Sequence, residues 1–130
     1  AIMSELMITG NQLLDTAYQS TFPVLRSENL ELKEGLGLLD SVIVDMHFIA
    51  RSRYNRLLSA VIEHPNYLCI GIDETTALII HGDSATVAGE SQVVTIATPD
   101  RIKKGKDRLI GASGLDVSIY LPGDKFRIKK

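Results

Sequence analysis

The chain has 130 residues, 45% of them hydrophobic, with 14 Lys+Arg against 16 Asp+Glu for a net charge of −2. Such a chain can bury a core and is not a disordered tail, and it lacks the basic excess of a dedicated nucleic-acid binder. Its one cysteine, Cys69, excludes an internal disulfide framework or a cysteine-rich zinc site; no apolar run approaches the roughly 18 residues of a membrane span, and the opening AIMSELMITG has no basic signal-peptide region.

In chain order, Ile2, Met3, Leu6 and Met7 fall at helical spacing and predict a helix over 1–8, stopped by Gly10 and Asn11. Residues 11–34, broken by Pro23 and charged from Arg26 to Glu34, read as loop with room for one short helix. After an apolar turn at 35–39 (GLGLL), residues 41–45 (SVIVD) form a β-branched run expected of a strand covered on both faces. Tyr54, Leu57, Leu58, Val61 and Ile62 repeat at helical spacing, predicting a helix over 48–64 that Pro65 ends. Residues 68–72 (LCIGI) are a second short strand, so strand, helix and strand form a βαβ unit with parallel pairing and a right-handed crossover.

The second half reads differently. Residues 77–81, 85–88 and 92–96 predict an antiparallel meander, with turns at Gly82-Asp83 and Gly89-Glu90. A polar, basic connection covers 99–114, and 116–121 with 125–128 predict a closing hairpin around Pro122-Gly123-Asp124. The fold class is therefore α/β with a β-meander in its second half. Two parallel strands and one helix do not cover both faces of a sheet, so the expected whole is the C-terminal part of a larger, doubly wound sheet domain.

Open α/β sheets bind ligands just past the carboxyl ends of their strands. The first strand runs into Asp45-Met46-His47 and the second into Asp73-Glu74-Thr75. If these strands are parallel neighbours, His47 and Glu74 leave the same edge. A histidine beside a carboxylate is two-thirds of an activated-nucleophile triad, because the imidazole takes the proton and the carboxylate fixes its tautomer. The structural alternative makes Asp45 a helix N-cap and Glu74 a solvated loop carboxylate. Arg51, Arg53 and Arg56 follow closely, either as a solvated helix face with snorkelling stems or as guanidinium forks that recognise a carboxylate. His64 and His81 read as structural. No nucleophile stands out: Ser4 lacks the flanking glycines of an elbow, Ser113 matches one only in part, and Cys69 sits in an apolar strand. No metal-ligand spacing appears beyond Asp45 and His47.

Taken together, GLGLL at 35–39, D-x-H-F at 45–48, R-x-R-x-x-R-L at 51–57 and G-I-D-E-x-T-A at 71–77 closely resemble the cyanophycinase family of serine peptidases, which also contains dipeptidase E. The resemblance covers 1–97 well and the remainder loosely. It implies a glutamine-amidotransferase-like, doubly wound domain with a Ser-His-Glu triad, in which His47 and Glu74 take the histidine and glutamate positions. It implies that Arg51, Arg53, Arg56 and Thr75 help form the substrate pocket and that Asp45 faces a substrate guanidinium. The family's serine elbow precedes text resembling residues 1–5, so residues 1–130 are expected to be the C-terminal portion of one peptidase domain, with the nucleophile in a complementary N-terminal segment.

The implied activity is hydrolysis of aspartyl-linked peptides, cyanophycin to β-Asp-Arg dipeptides, by an enzyme that needs that segment. The alternatives are an aspartyl dipeptidase and a non-catalytic binding or assembly module of the same fold. Met46 departs from the family's usual Gln, which can hydrogen-bond a substrate where Met cannot. No cofactor or metal is implied. Expected partners are the peptide substrate and a second copy in a homodimer, with neither nucleic acid nor membrane. The sequence fixes no compartment, with the cytoplasm favoured over secretion.

Overall fold

The computed structural model describes residues 4–14 and 25–128. A six-stranded mixed sheet runs in the order β10-β7-β4-β3-β1-β2, a three-stranded sheet in the order β11-β6-β5, and a two-stranded ladder joins β8 to β9. The strands are β1 (Ser4–Gln12), β2 (Leu30–Glu34), β3 (Leu39–Met46), β4 (Leu68–Ile72), β5 (Thr76–His81), β6 (Ser84–Gly89), β7 (Val93–Ala97), β8 (Lys103–Lys104), β9 (Ile110–Gly111), β10 (Asp116–Tyr120) and β11 (Lys125–Arg127). One helix, α1 (Tyr54–Glu63), lies between β3 and β4.

The βαβ unit is present. β3 and β4 pair in parallel, with Val42 level with Leu68 and Met46 level with Ile72. Side chains alternate along β3, as pleating requires. Ile43 joins the core under α1 with Leu57, Val61, Cys69, Val94 and Ile96. Val42 and Val44 join a second core with Ile70, Ile72, Val87 and Val93, against the three-stranded sheet. Each fully buried aliphatic side chain of this kind contributes roughly 1.5–3 kcal/mol. The face of the large sheet opposite the helix is thus covered, among the described residues, by strands.

Five local expectations are corrected. Residues 4–12 form strand β1, not a helix: β1 pairs in parallel with β3 and antiparallel with β2, and this two-sided pairing outweighs local spacing that was compatible with a helix. Part of the segment expected to be loop is β2, where Leu30 and Leu32 face the core between polar neighbours; the other residues of that expectation, 15–24, lie outside the described residues, as do Ile2 and Met3 of the expected helix. The predicted helix over 48–64 starts as turns and becomes regular only at Tyr54. The antiparallel β5–β6 hairpin is present, but the next strand, β7, leaves it to pair with β4. Likewise β10 and β11 are not a hairpin: β10 completes the large sheet beside β7, and β11 completes the small sheet beside β6.

Candidate active site

Because Met46 is level with Ile72, the chain leaves both parallel strands at one rim. Both exits turn sharply. His47 and Thr75 have φ of 53° and 54°, in the left-handed region that costs a non-glycine residue about 1–2 kcal/mol. The turns bring His47 Nδ1 to 3.3 Å from Glu74 Oε1. This is ion-pair range without the alignment of a full hydrogen bond. Nδ1 is itself shielded from solvent although the side chain is 45% exposed, so the exposed surface of the side chain lies on its other atoms. A cleft of about 430 Å³ opens here, walled by His47, Glu74, Asp73, Met46, Thr76 and Gly89 among others.

Several contacts hold this geometry. The Phe48 N–H donates to the Ile72 carbonyl at 3.2 Å. A Cβ on Gly71 would lie only 2.3 Å from Phe48 Cγ, so the glycine lets the ring settle directly on the β4 backbone. Asp73 Oδ1 accepts the Ala50 N–H at 2.9 Å, and Oδ2 accepts the Ser91 hydroxyl at 2.6 Å. Burial would push the Asp73 carboxyl up, but the Ser91 hydroxyl and the N–H groups of Ala50, Glu74 and Ile49 outweigh it and hold the group below its ordinary value. Gly89, with φ of 113°, sits where a Cβ would lie 2.2 Å from the Thr75 carbonyl oxygen, so the second hairpin strand can press against the Glu74 turn.

Asp45 and Met46 point to opposite faces of β3. Asp45 is on the α1 side, 2% exposed, and its carboxylate accepts from Arg56 Nε at 2.6 Å and Arg56 Nη2 at 2.5 Å. Arg53 Nη1 lies 3.7 Å from the same carboxylate and donates to the Met46 carbonyl at 2.9 Å. Asp45 was expected to face a substrate guanidinium; in the structure its two oxygens are occupied by the chain's own arginine. Arg53 and Arg56 turn inward to that carboxylate, whereas Arg51 is exposed on the turn after His47, its N–H donating to the His47 carbonyl at 3.2 Å. The Thr75 hydroxyl donates to the Glu74 carbonyl at 2.7 Å, and Thr76 does so at 2.9 Å.

The structure therefore gathers His47, Glu74 and Thr75 at the cleft and groups Asp45, Arg53 and Arg56 beneath it. Among the described residues no serine or cysteine lines the cleft. Cys69 is fully buried and its thiol is pushed up to about 12, first by burial and then by the Asp45 charge. Ser113 has its carbonyl engaged by the Asp100 N–H at 2.8 Å and is not on the cleft wall, while the Ser4 side chain lies outside the described residues. No group of three or more His, Cys, Asp or Glu among the described residues is arranged to hold a metal ion. No helix among them is long and apolar enough to cross a membrane. Sequence reasoning passed over Asp73; the available signal was an acidic doublet at a strand end, whose two side chains must point to different sides.

No protein-family model matches the chain. Over 98% of its length it is 35% identical to a cyanophycinase of Trichormus variabilis (strain ATCC 29413 / PCC 7937), of which it covers 42%. Over 74% of its length it is 43% identical to a cyanophycinase of Geminocystis herdmanii (strain PCC 6308), covering 33% of that protein. A cyanophycinase of Synechococcus elongatus is 41% identical over 54% of the chain and 22% of its own length. The chain spans less than half the length of these curated relatives.

Proposed function

From its relation to the cyanophycinases, stated plainly by the identity across nearly the whole chain, we propose that this chain carries the histidine and glutamate of a Ser-His-Glu peptidase that hydrolyses aspartyl-linked peptides. The observation that supports it best is the 3.3 Å approach of His47 Nδ1 to Glu74 Oε1 at the rim of a cleft. Glu74 holds the proton on Nδ1, which leaves the Nε2 lone pair facing the cleft as the base. His47 removes the proton from a serine hydroxyl as that oxygen attacks the scissile carbonyl. It then returns the proton to the leaving amine, and repeats the exchange with water to release the acyl group. The gap without full alignment is the usual state of catalytic hydrogen bonds in an empty site, which tighten on the reacting complex.

The serine, in this reading, comes from outside residues 1–130. Supporting it, the cleft wall offers no serine or cysteine among the described residues, and the hydroxyls of Thr75 and Thr76 are engaged by the Glu74 carbonyl. Residues 1–130 by themselves are then inactive. Cyanophycin, named by the relatives, is the first substrate to try. A second reading, an aspartyl dipeptidase, is favoured by Met46, which gives the cleft no side-chain hydrogen bond where the family's Gln would. Fluorophosphonate labelling of the intact protein, followed by peptide mapping, tests the mechanism. The expected adduct is on one serine outside this chain and disappears in His47→Ala. Labelling that does not depend on His47 contradicts the proposal.

A further inference from the structure

We propose that the chain carries a second binding site, between its two sheets and remote from the His47 rim, that takes a guanidinium group. The site stands independently of the peptidase reading. Strand alternation places it. Val117 and Ile119 are level with Ile96 and Val94, which lie under α1, so Asp116, Ser118 and Tyr120 occupy the other face of β10. Thr95, level with Ser118, and Ala97, level with Asp116, continue that face across β7. Phe126 of β11 and Ile128 just after it stand opposite, and a cavity of about 190 Å³ lies between.

Polar side chains in this cavity lack partners. Thr95 is 6% exposed, yet its hydroxyl makes no hydrogen bond to a described residue, and neither do the side chains of Ser118 and Asp116. Buried polar atoms are nearly always paired, and the cavity far exceeds the roughly 10–15 Å³ that a single water needs. Carboxylate and hydroxyl oxygens are acceptors, and a guanidinium brings five donors and no acceptor. It is also planar, weakly hydrated and able to stack on aromatic faces, which suits a slot with apolar walls better than a strongly hydrated ammonium does. Tyr120 and Phe126 supply the aromatic surface, their rings stacked with centroids 4.4 Å apart and planes at 14°. Arg127 borders the cavity, but it alternates with the inward Phe126 and Ile128, so its side chain points outward, 3.9 Å from Asp83. Asp116 is level with Ala97, one residue past the Cys69–Ile96 pair, so it lies four residues down the sheet from Ile72 and two strands across. That is about 13 Å along and about 10 Å across. A dipeptide cannot reach both this site and the His47 rim; an aspartyl polymer with arginine side chains can.

Calorimetry on the intact protein in a His47→Ala background, which prevents turnover, tests this with four probes: ethylguanidinium, ethylammonium, free arginine and an oligomer of five β-Asp-Arg units. Ethylguanidinium should bind more tightly than ethylammonium, and Asp116→Asn should weaken it at least about tenfold, the scale of a lost hydrogen bond to a charged group. Thr95→Val should weaken it severalfold. Neither change removes a hydrogen bond that the chain makes for itself, so melting temperatures should hold. An oligomer that binds more tightly than free arginine, and loses affinity in Asp116→Asn, assigns the site to arginine side chains of a polymer. Free arginine binding as tightly, with the same loss, assigns it to the amino acid; either supports a guanidinium site. No binding of ethylguanidinium, equal binding of ethylammonium, affinity unchanged in both variants, or a lowered melting temperature in Thr95→Val overturns the proposal. The turnover lost in His47→Ala is read separately and bears only on the peptidase mechanism.

Discussion

Asp73 Oδ1 accepts the backbone N–H of Ala50 at 2.9 Å, so the residue before Glu74 holds the turn that follows His47. Its other oxygen is tied to Ser91, which follows β6. One carboxylate thereby links three segments around the cleft and keeps the two rim residues in register. Asp73→Asn replaces an acceptor with a donor at one of these contacts. It should lower stability by about 1–3 kcal/mol, the usual cost of an unmade buried hydrogen bond, and reduce turnover more than it raises KM. Denaturant melts with steady-state kinetics check both.

The same group gives a pH dependence. Its folded-state value lies below the ordinary 3.8, so the native state holds its negative charge more strongly than the unfolded chain does. The stability it contributes is fully present above 3.8 and is lost as pH falls through the lower folded value. Thermal melts between pH 5 and pH 2 should therefore show a stability loss on acidification that is shallower in Asp73→Asn.

Gly71→Ala tests the seat of the His47 turn. The added methyl would stand 2.3 Å from Phe48 Cγ, so the ring and its turn must move. Overpacking of this kind costs about 1–3 kcal/mol. A lower melting temperature with weakened turnover is expected; a variant that matches the parent in both would show that Phe48 does not anchor the turn.

Arg56→Met should be among the most damaging single changes. It leaves Asp45, 2% exposed, without its bidentate partner. Removing one member of a buried pair costs about 3–5 kcal/mol, whereas replacing both members by apolar groups is often much milder. Denaturation of Arg56→Met against the double variant Asp45→Leu/Arg56→Met should show the double change partly restoring stability.

Cys69 is buried, with its thiol pushed up to about 12. It should resist iodoacetamide at pH 8 in the folded protein and react readily in denaturant. Mass spectrometry of the alkylated protein reads this out; rapid native-state labelling would mean that β4 opens easily.

The rim was legible in the sequence because it depends on short-range logic. Two apolar strands around a helix must pair in parallel, and polar residues at their ends then share an edge, which is where His47 and Glu74 stand. Other parts were not legible, for identifiable reasons. The spacing of Leu6 and Met7 suits either period, and only pairing with β2 and β3 selects a strand. In β2 the alternation of Leu30 and Leu32 was hidden by the charges between them. Strands β10 and β11 are joined by a turn that looks like a hairpin, yet Val117 stands opposite Ile96 and Phe126 opposite Ala85, in different sheets. The role of Asp45 depends on α1 folding back over β3 to bring Arg56 onto it, a juxtaposition that no local pattern encodes.

The pairing of His47 with Glu74 is tested most directly by kcat/KM of the intact protein on an aspartyl-linked peptide, for the parent, His47→Ala and Glu74→Gln. Loss of about 10³–10⁴-fold in each variant, with the double variant scarcely worse than either single one, is the result expected of residues that act as a unit. Retention of parental turnover in His47→Ala would contradict it.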